Sequence, residues 1–170
     1  ELENICDLSV RALEQIIDYQ DYPVRAAEVS TKKRRSLGIG YIGLAHYLAK
    51  NGVKYSDPEA WALVDRLTEA FQYHLLRSSC DIAMEKGKCE GFERTKYADG
   101  LLPIDHYKKE VDEIVPHKQR MAWESLRKDI AKYGLRHSTL SAQMPSESSS
   151  VVSNETNGIE PPRALMSIKK

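Results

Sequence analysis

Leu2, Ile5, Leu8, Ala12, Leu13, Ile16 and Ile17 recur at the spacing of one helical face, and Pro23 ends the run, so a helix is predicted over residues 2–20. The chain opens inside that pattern without a capping residue or a linker, as expected of a first residue that is not a natural domain start. The longest stripe follows Ser56-Asp57-Pro58-Glu59, a helix start with Pro in its first turn. Trp61, Val64, Phe71, Leu75 and Ile82, widened by Leu63, Leu67 and Ala70, give a core-facing helix from Pro58 to Lys86 that stops at Gly87. Lys88 to Gln119 is turn-rich and charged, with short helical pieces expected around Asp105 to Glu113. Met121 to Tyr133 is a third amphipathic helix, with Trp123, Leu126, Ile130 and Tyr133 on one side and Gly134 as its terminator. The texture then changes. Residues 135–167 carry most of the serines, and two short apolar runs, around Leu140 and at Ala164-Leu165-Met166, suit strands.

At 170 residues and 41% hydrophobic, the chain suits one domain with a real core. Twenty-five basic and 25 acidic residues cancel, which removes the electrostatic footprint of a nucleic-acid or membrane-surface binder. Lys32-Lys33-Arg34-Arg35 reads as a solvated turn before a buried segment. Three cysteines, Cys6, Cys80 and Cys89, suggest neither a disulfide framework nor a zinc site and fit a reducing cytoplasm. Cys6 falls on the apolar side of the first helix, where a buried structural thiol is expected. No apolar run approaches the roughly 18 residues of a transmembrane helix, and no signal peptide is visible. His46, His74, His106, His117 and His137 are scattered, and no metal is expected.

Gly38, Gly40 and Gly43 form a G-x-G-x-x-G, the pattern of dinucleotide binding. Its context is wrong: Lys32 to Arg35 stand where a hydrophobic strand should precede it, and Asp57, the acidic residue about 20 positions on, belongs to a helix start. Close backbone packing of a short buried segment, entering a helix from Tyr41 to Lys50, accounts for the glycines better.

The stretch with most chemical promise is Met144-Pro145-Ser146-Glu147-Ser148-Ser149-Ser150-Val151-Val152, after the strand-like Ser138-Thr139-Leu140-Ser141-Ala142. Strand, short loop and Ser-rich helix start is an arrangement that holds phosphate in α/β folds, because first-turn amides lack helical partners and the helix dipole favours an anion. No Lys or Arg lies between Ser138 and Pro162, so an anion here would rest on amides and hydroxyls. Glu147 is the awkward member, since its carboxylate must turn away from a bound diphosphate or cap backbone amides. The plain alternative is an N-capped helix after a turn. No serine sits in a G-x-S-x-G elbow, and Glu147, Glu155 and Glu160 show no pairing that spacing alone would establish.

These residues resemble a known family. Gly134-Leu135-Arg136-His137-Ser138-Thr139-Leu140-Ser141-Ala142-Gln143-Met144-Pro145-Ser146-Glu147, continuing through Ser148-Ser149, is similar to the substrate-phosphate loop of class I ribonucleotide reductase large subunits. Ser153 to Pro162, Arg34 to Gly40, Asp18 to Pro23 and Leu101 to Asp105 extend the likeness over the whole chain, nearest to the bacterial and bacteriophage class Ia type. The resemblance implies a helix-rich α/β segment, residues 1–170, of the ten-stranded α/β barrel that reduces ribonucleoside diphosphates for DNA precursor synthesis. In that reading residues 1–134 supply barrel helices, and 135–170 the strand, loop and helix of the phosphate site. The positions matching the family's diphosphate cradle are Pro145, Ser146, Glu147, Ser148 and Ser149. Ser148 stands where relatives often have Thr and keeps the hydroxyl; His137 stands where Asn is common.

The family's Asn-x-Cys-x-Glu radical loop, its further redox cysteines and its Tyr-Tyr pair have no counterpart in these 170 residues. The resemblance therefore implies an internal to late barrel segment, inactive alone, without a catalytic residue or cofactor of its own. Its implied partners are the remainder of the large subunit, a small subunit bearing a diiron-tyrosyl radical, and thioredoxin or glutaredoxin as reductant. ATP and dNTP effectors would bind elsewhere, with no role for nucleic acid or membrane, in a bacterial cytoplasm or that of a phage host. The rival reading from another class is a helical scaffold or interaction module with no ligand site.

Overall fold

The computed structural model describes residues 1–114 and 118–164. Helix α1 spans Leu2–Tyr19 as predicted, but the face turned inward is Cys6, Val10, Glu14 and Ile17, while Ile5, Leu8 and Ile16 of the predicted stripe are exposed. Helix α4 spans Pro58–Lys86, with Pro58 in the first turn, where its missing N–H costs nothing, and Gly87 at its end. Helix α1 packs along α4, and α5, Trp123–Tyr133, packs on another part of it. Cys6 and Val10 of α1, Phe71, Leu75, Leu76 and Ile82 of α4, and Trp123, Leu126 and Ile130 of α5 form one core that Leu135 and Leu140 complete. Each such fully buried aliphatic side chain contributes about 2 kcal/mol through the surface it withdraws from water. A second, smaller cluster holds α3, Leu44–Lys50, by Leu44 and Leu48 against Ala60 of α4.

The cysteine expectation holds at Cys6, and Cys80 and Cys89 are likewise buried and free. Burial pushes the Cys6 and Cys80 thiols up to about 11, so neither is a ready thiolate. Between α4 and α5, the 3₁₀ turn Lys109–Glu113 falls where short helical pieces were expected, and another, Pro103–Asp105, ends where that region begins. Trp61, expected in the core stripe, is instead 38% exposed. Its indole Nε1 donates to the Tyr55 carbonyl at 2.7 Å, and the ring lines a cavity of about 730 Å³ between α3, α4 and the 3₁₀ turns.

Two local expectations are corrected. The basic cluster is not a solvated turn: Lys32, Lys33 and Arg34 form the last turn of helix α2, Arg25–Arg34, where positive charge suits the helix dipole. Arg35 closes that helix in the left-handed region, φ 48°, and is 5% exposed. The strand expected at Ser138 to Ala142 is reduced, among the described residues, to one isolated parallel bridge between Ile39 and Ser141. The extended backbone is there, with Leu37 N–H donating to Thr139, Ile39 N–H to Leu140 and Ala142 N–H to Ile39. A ladder needs a longer run and further neighbours than this glycine-interrupted partner offers. Of the second predicted strand, Leu165 and Met166 lie outside the described residues. The described residues are thus a helix-rich body with one parallel contact, and the loop after Ala142 leaves from that contact.

Candidate functional site

Residues 36–40 are the platform beneath the loop. A Cβ on Gly40 would lie 2.2 Å from the Ala142 carbonyl oxygen, and one on Gly38 would touch the Ala142 side chain at 3.4 Å. The first two glycines of the G-x-G-x-x-G therefore let one backbone lie against another, as the sequence reading held. The third, Gly43, serves the far side of the loop. It precedes α3 with φ +77°, and a Cβ there would sit 2.8 Å from Glu155 Oε2.

From this platform the chain passes Met144 and Pro145 into α6, Glu147–Ser153. Ser146 is buried at the start of the helix; its N–H donates to Asn157 Oδ1 at 2.8 Å and its hydroxyl to the Met144 carbonyl at 3.0 Å. Its hydroxyl is therefore committed within the loop. Ser150 N–H donates to the Ser146 carbonyl, the first helical bond, so the amides of Ser148 and Ser149 belong to the turn that has no helical acceptor. Both residues are exposed, and their side-chain hydroxyls bond to no other described residue. Pro145 and Glu147 are exposed beside them, Glu147 in the first turn where a carboxylate suits the dipole. Ser150 is buried and turns its hydroxyl to the Glu147 carbonyl at 2.9 Å. Of the five site residues singled out from sequence, Ser148 and Ser149 thus offer amides together with hydroxyls, and Ser146 shapes the turn that presents them.

A return segment holds α6 from behind. Glu155 N–H donates to the Ser150 carbonyl, Gly43 N–H to Thr156, and Leu44 N–H to Gly158. His46 Nδ1 lies 2.7 Å from Glu155 Oε2, and Tyr55 donates its hydroxyl to the Ile159 carbonyl at 3.0 Å. His46, Glu155 and Asn157 were not singled out as partners from sequence. The nearest signal was the position of Gly43 just before a helix.

On the entry side, a buried polar cluster anchors residues 135–138. Glu14, 1% exposed on the inner face of α1, accepts from Arg35 Nε at 2.8 Å, Arg136 Nε at 2.8 Å and His137 Nε2 at 3.0 Å. Burial opposes its ionisation, but the bonds from His137, Arg35 and Arg136 outweigh that and hold the carboxyl at about 2. His137 is fully buried, and burial lowers its pKa despite Glu14. The neutral ring then carries its proton on Nε2 toward Glu14, and Nδ1 accepts from the Ser79 hydroxyl at 2.9 Å. Ser79 Oγ also accepts the His137 N–H at 3.1 Å, tying this segment to α4. His137, left open by the sequence, is part of the support of the loop.

A family model, ribonucleotide reductase, barrel domain, matches residues 1–170. The chain belongs to the ribonucleotide reductase family. It is 60% identical over 163 residues to the ribonucleoside-diphosphate reductase subunit alpha of Buchnera aphidicola subsp. Baizongia pistaciae, covering 96% of this chain and 21% of that protein. It is 54% identical over 153 residues to ribonucleoside-diphosphate reductase 1 subunit alpha of Escherichia coli K12, covering 90% of this chain and 20% of that protein. To the subunit alpha of Enterobacteria phage T4 it is 46% identical over 170 residues, covering 100% of this chain and 22% of that protein. The chain thus spans about a fifth of the length of the curated relatives it matches.

Proposed function

We propose that the chain supplies the substrate-diphosphate cradle of a ribonucleoside-diphosphate reductase large subunit, within the ten-stranded α/β barrel that the resemblance implies. The observation that carries this is the start of α6. The Ser148 and Ser149 amides lie in a turn without helical acceptors, their hydroxyls face solvent, and the polar backing is bonded from behind. A diphosphate there takes hydrogen bonds from neutral donors whose positions are fixed before it arrives, which lowers the ordering cost of binding. Pro145 restricts the approach to the turn, Ser146 fixes its first residue, and Glu147 faces out at the helix start. These residues bind and orient; the radical and redox steps belong to groups elsewhere in the enzyme. The remainder of the large subunit, a radical-generating small subunit and a thioredoxin- or glutaredoxin-type reductant are the partners this reading calls for, in a bacterial cytoplasm or that of a phage host. The test is steady-state kinetics of the complete enzyme carrying Ser148→Ala with Ser149→Ala. Loss of two hydrogen bonds to the diphosphate, about 1 kcal/mol each, raises KM about thirtyfold. An unchanged KM would favour the rival reading, a capped turn in a helical scaffold.

A further inference from the structure

We propose that α3 is the positioning element of the phosphate turn: His46, acting through Glu155, and Asn157, acting on the Ser146 amide, set the direction in which the first-turn amides of α6 point. The proposal rests on the diphosphate-binding role given above to residues 145–149.

Among the described residues, α6 is held mainly through polar contacts. Of its seven residues only Ser150 is buried, while Val151 and Val152 are 68% and 89% exposed. Helix α3, by contrast, is seated on α4 through Leu44 and Leu48. Among the described residues, the contacts that link the start of α3 to the segment behind α6 are polar. His46 Nδ1 faces Glu155 Oε2 at 2.7 Å, and because a carboxylate only accepts, the imidazole donates. The start of α3 adds Gly43 N–H to the Thr156 carbonyl at 3.0 Å and His46 N–H to Thr156 Oγ1 at 3.4 Å. Residues 155 and 156 are thus gripped from α3. One residue on, Asn157 Oδ1 receives the Ser146 N–H at 2.8 Å, and Glu155 N–H returns to the Ser150 carbonyl at 2.9 Å. The turn is held at both its first and its last residue by a segment that α3 fixes.

The same contacts place a charge. Glu155 is one of three carboxylates in the segment that carries the cradle, with Glu147 and Glu160, and its engagement with His46 turns it toward Gly43. The third glycine of the G-x-G-x-x-G is needed for this: it has the left-handed backbone, and it leaves the space the Glu155 carboxylate occupies. The motif thus acts on the phosphate site from beneath, as the surface against which that site is held.

The experiment uses the complete enzyme, with the large subunit carrying His46→Ala, His46→Asn or Asn157→Ala, and the Ser148→Ala/Ser149→Ala pair alongside. His46 has a side chain 40% exposed, so its replacement leaves the packed helix intact. Misdirected amides raise KM for a ribonucleoside diphosphate about tenfold in His46→Ala and in Asn157→Ala, with kcat within about twofold of wild type. His46→Asn, whose amide N–H reaches the position of the Nδ1 proton, restores the wild-type KM. A merely structural role would lower the thermal midpoint and the yield of active enzyme and leave KM where it was. Wild-type KM in both alanine variants, with KM raised in the serine pair, would overturn the positioning role and keep the cradle; wild-type KM in all of them would overturn both. His46→Asn as impaired as His46→Ala would also overturn the hydrogen-bond relay.

Discussion

Glu14→Gln tests the buried cluster that anchors the entry to the proposed phosphate loop. The carboxylate accepts from two guanidiniums and an imidazole, and its carboxyl is held at about 2 against an ordinary 4.5. That difference corresponds to about 3 kcal/mol of stability. A second route gives the same size, since removing one partner from a buried ion pair costs about 3–5 kcal/mol by leaving the other charge unpaired. Arg35 retains Asp18 at 2.7 Å, so the value expected lies at the low end, about 3 kcal/mol. Because the folded pKa is depressed, the contribution is fully present above pH 4.5 and is lost as pH falls toward about 2. Urea unfolding followed by the fluorescence of buried Trp123 measures this directly, at neutral pH and at steps down to pH 3. Wild type and variant should differ by about 3 kcal/mol at pH 7 and converge on acidification. A difference below about 1 kcal/mol at pH 7, or one that does not shrink with acid, would refute the cluster as a stabilising unit.

Three further outcomes follow from the same geometry. Ser79→Ala leaves His137 Nδ1 and its N–H without their shared partner inside the core, and should cost about 1–3 kcal/mol in the same urea assay. Leu75→Ala, at a fully buried position between α1, α4 and α5, should cost about 2–5 kcal/mol; a loss under 1 would mean that the core closes over the site. Gly40→Ala drives a methyl into the Ala142 carbonyl, so the backbone leading into the phosphate loop must move, and KM for nucleoside diphosphate in the complete enzyme should rise about tenfold or more.

The parts of the fold legible in sequence are those written in apolar periodicity. Helix α4 appears where Asp57-Pro58 and Gly87 bracket the stripe, and α1 and α5 appear within a residue or two of their limits. Helix α2 escaped because Arg25–Arg34 has no apolar stripe and buries nothing; it is held at its C-terminal end, where Gly91 N–H donates to Lys33, Ser138 N–H to Arg34, and Arg35 bonds Glu14 and Asp18. Glu14 was readable in principle. It falls on the same stripe as Cys6, Val10 and Ile17, a charge where an apolar residue belongs, but its partners lie 21, 122 and 123 residues away. The strand over 138–142 was read from a short run around Leu140, yet a strand is a property of its neighbours, and among the described residues it meets Arg34 and residues 37–39 in a single isolated bridge and a few backbone bonds. At the candidate site the loop was visible through its serines, proline and missing cations. The His46–Glu155 and Asn157–Ser146 contacts were not, because 109 residues separate the first pair and local spacing says nothing of an amide that points backward.

The most direct test of the central claim compares binding of a ribonucleoside diphosphate with that of the corresponding nucleoside, by calorimetry on the complete large subunit, in wild type and in Ser148→Ala/Ser149→Ala. The two serines are assigned to the diphosphate alone. Nucleoside affinity should therefore be the same in both proteins, while diphosphate affinity falls about thirtyfold in the variant. Equal losses for both ligands, or no loss for either, would contradict the assignment of the α6 turn as the diphosphate cradle.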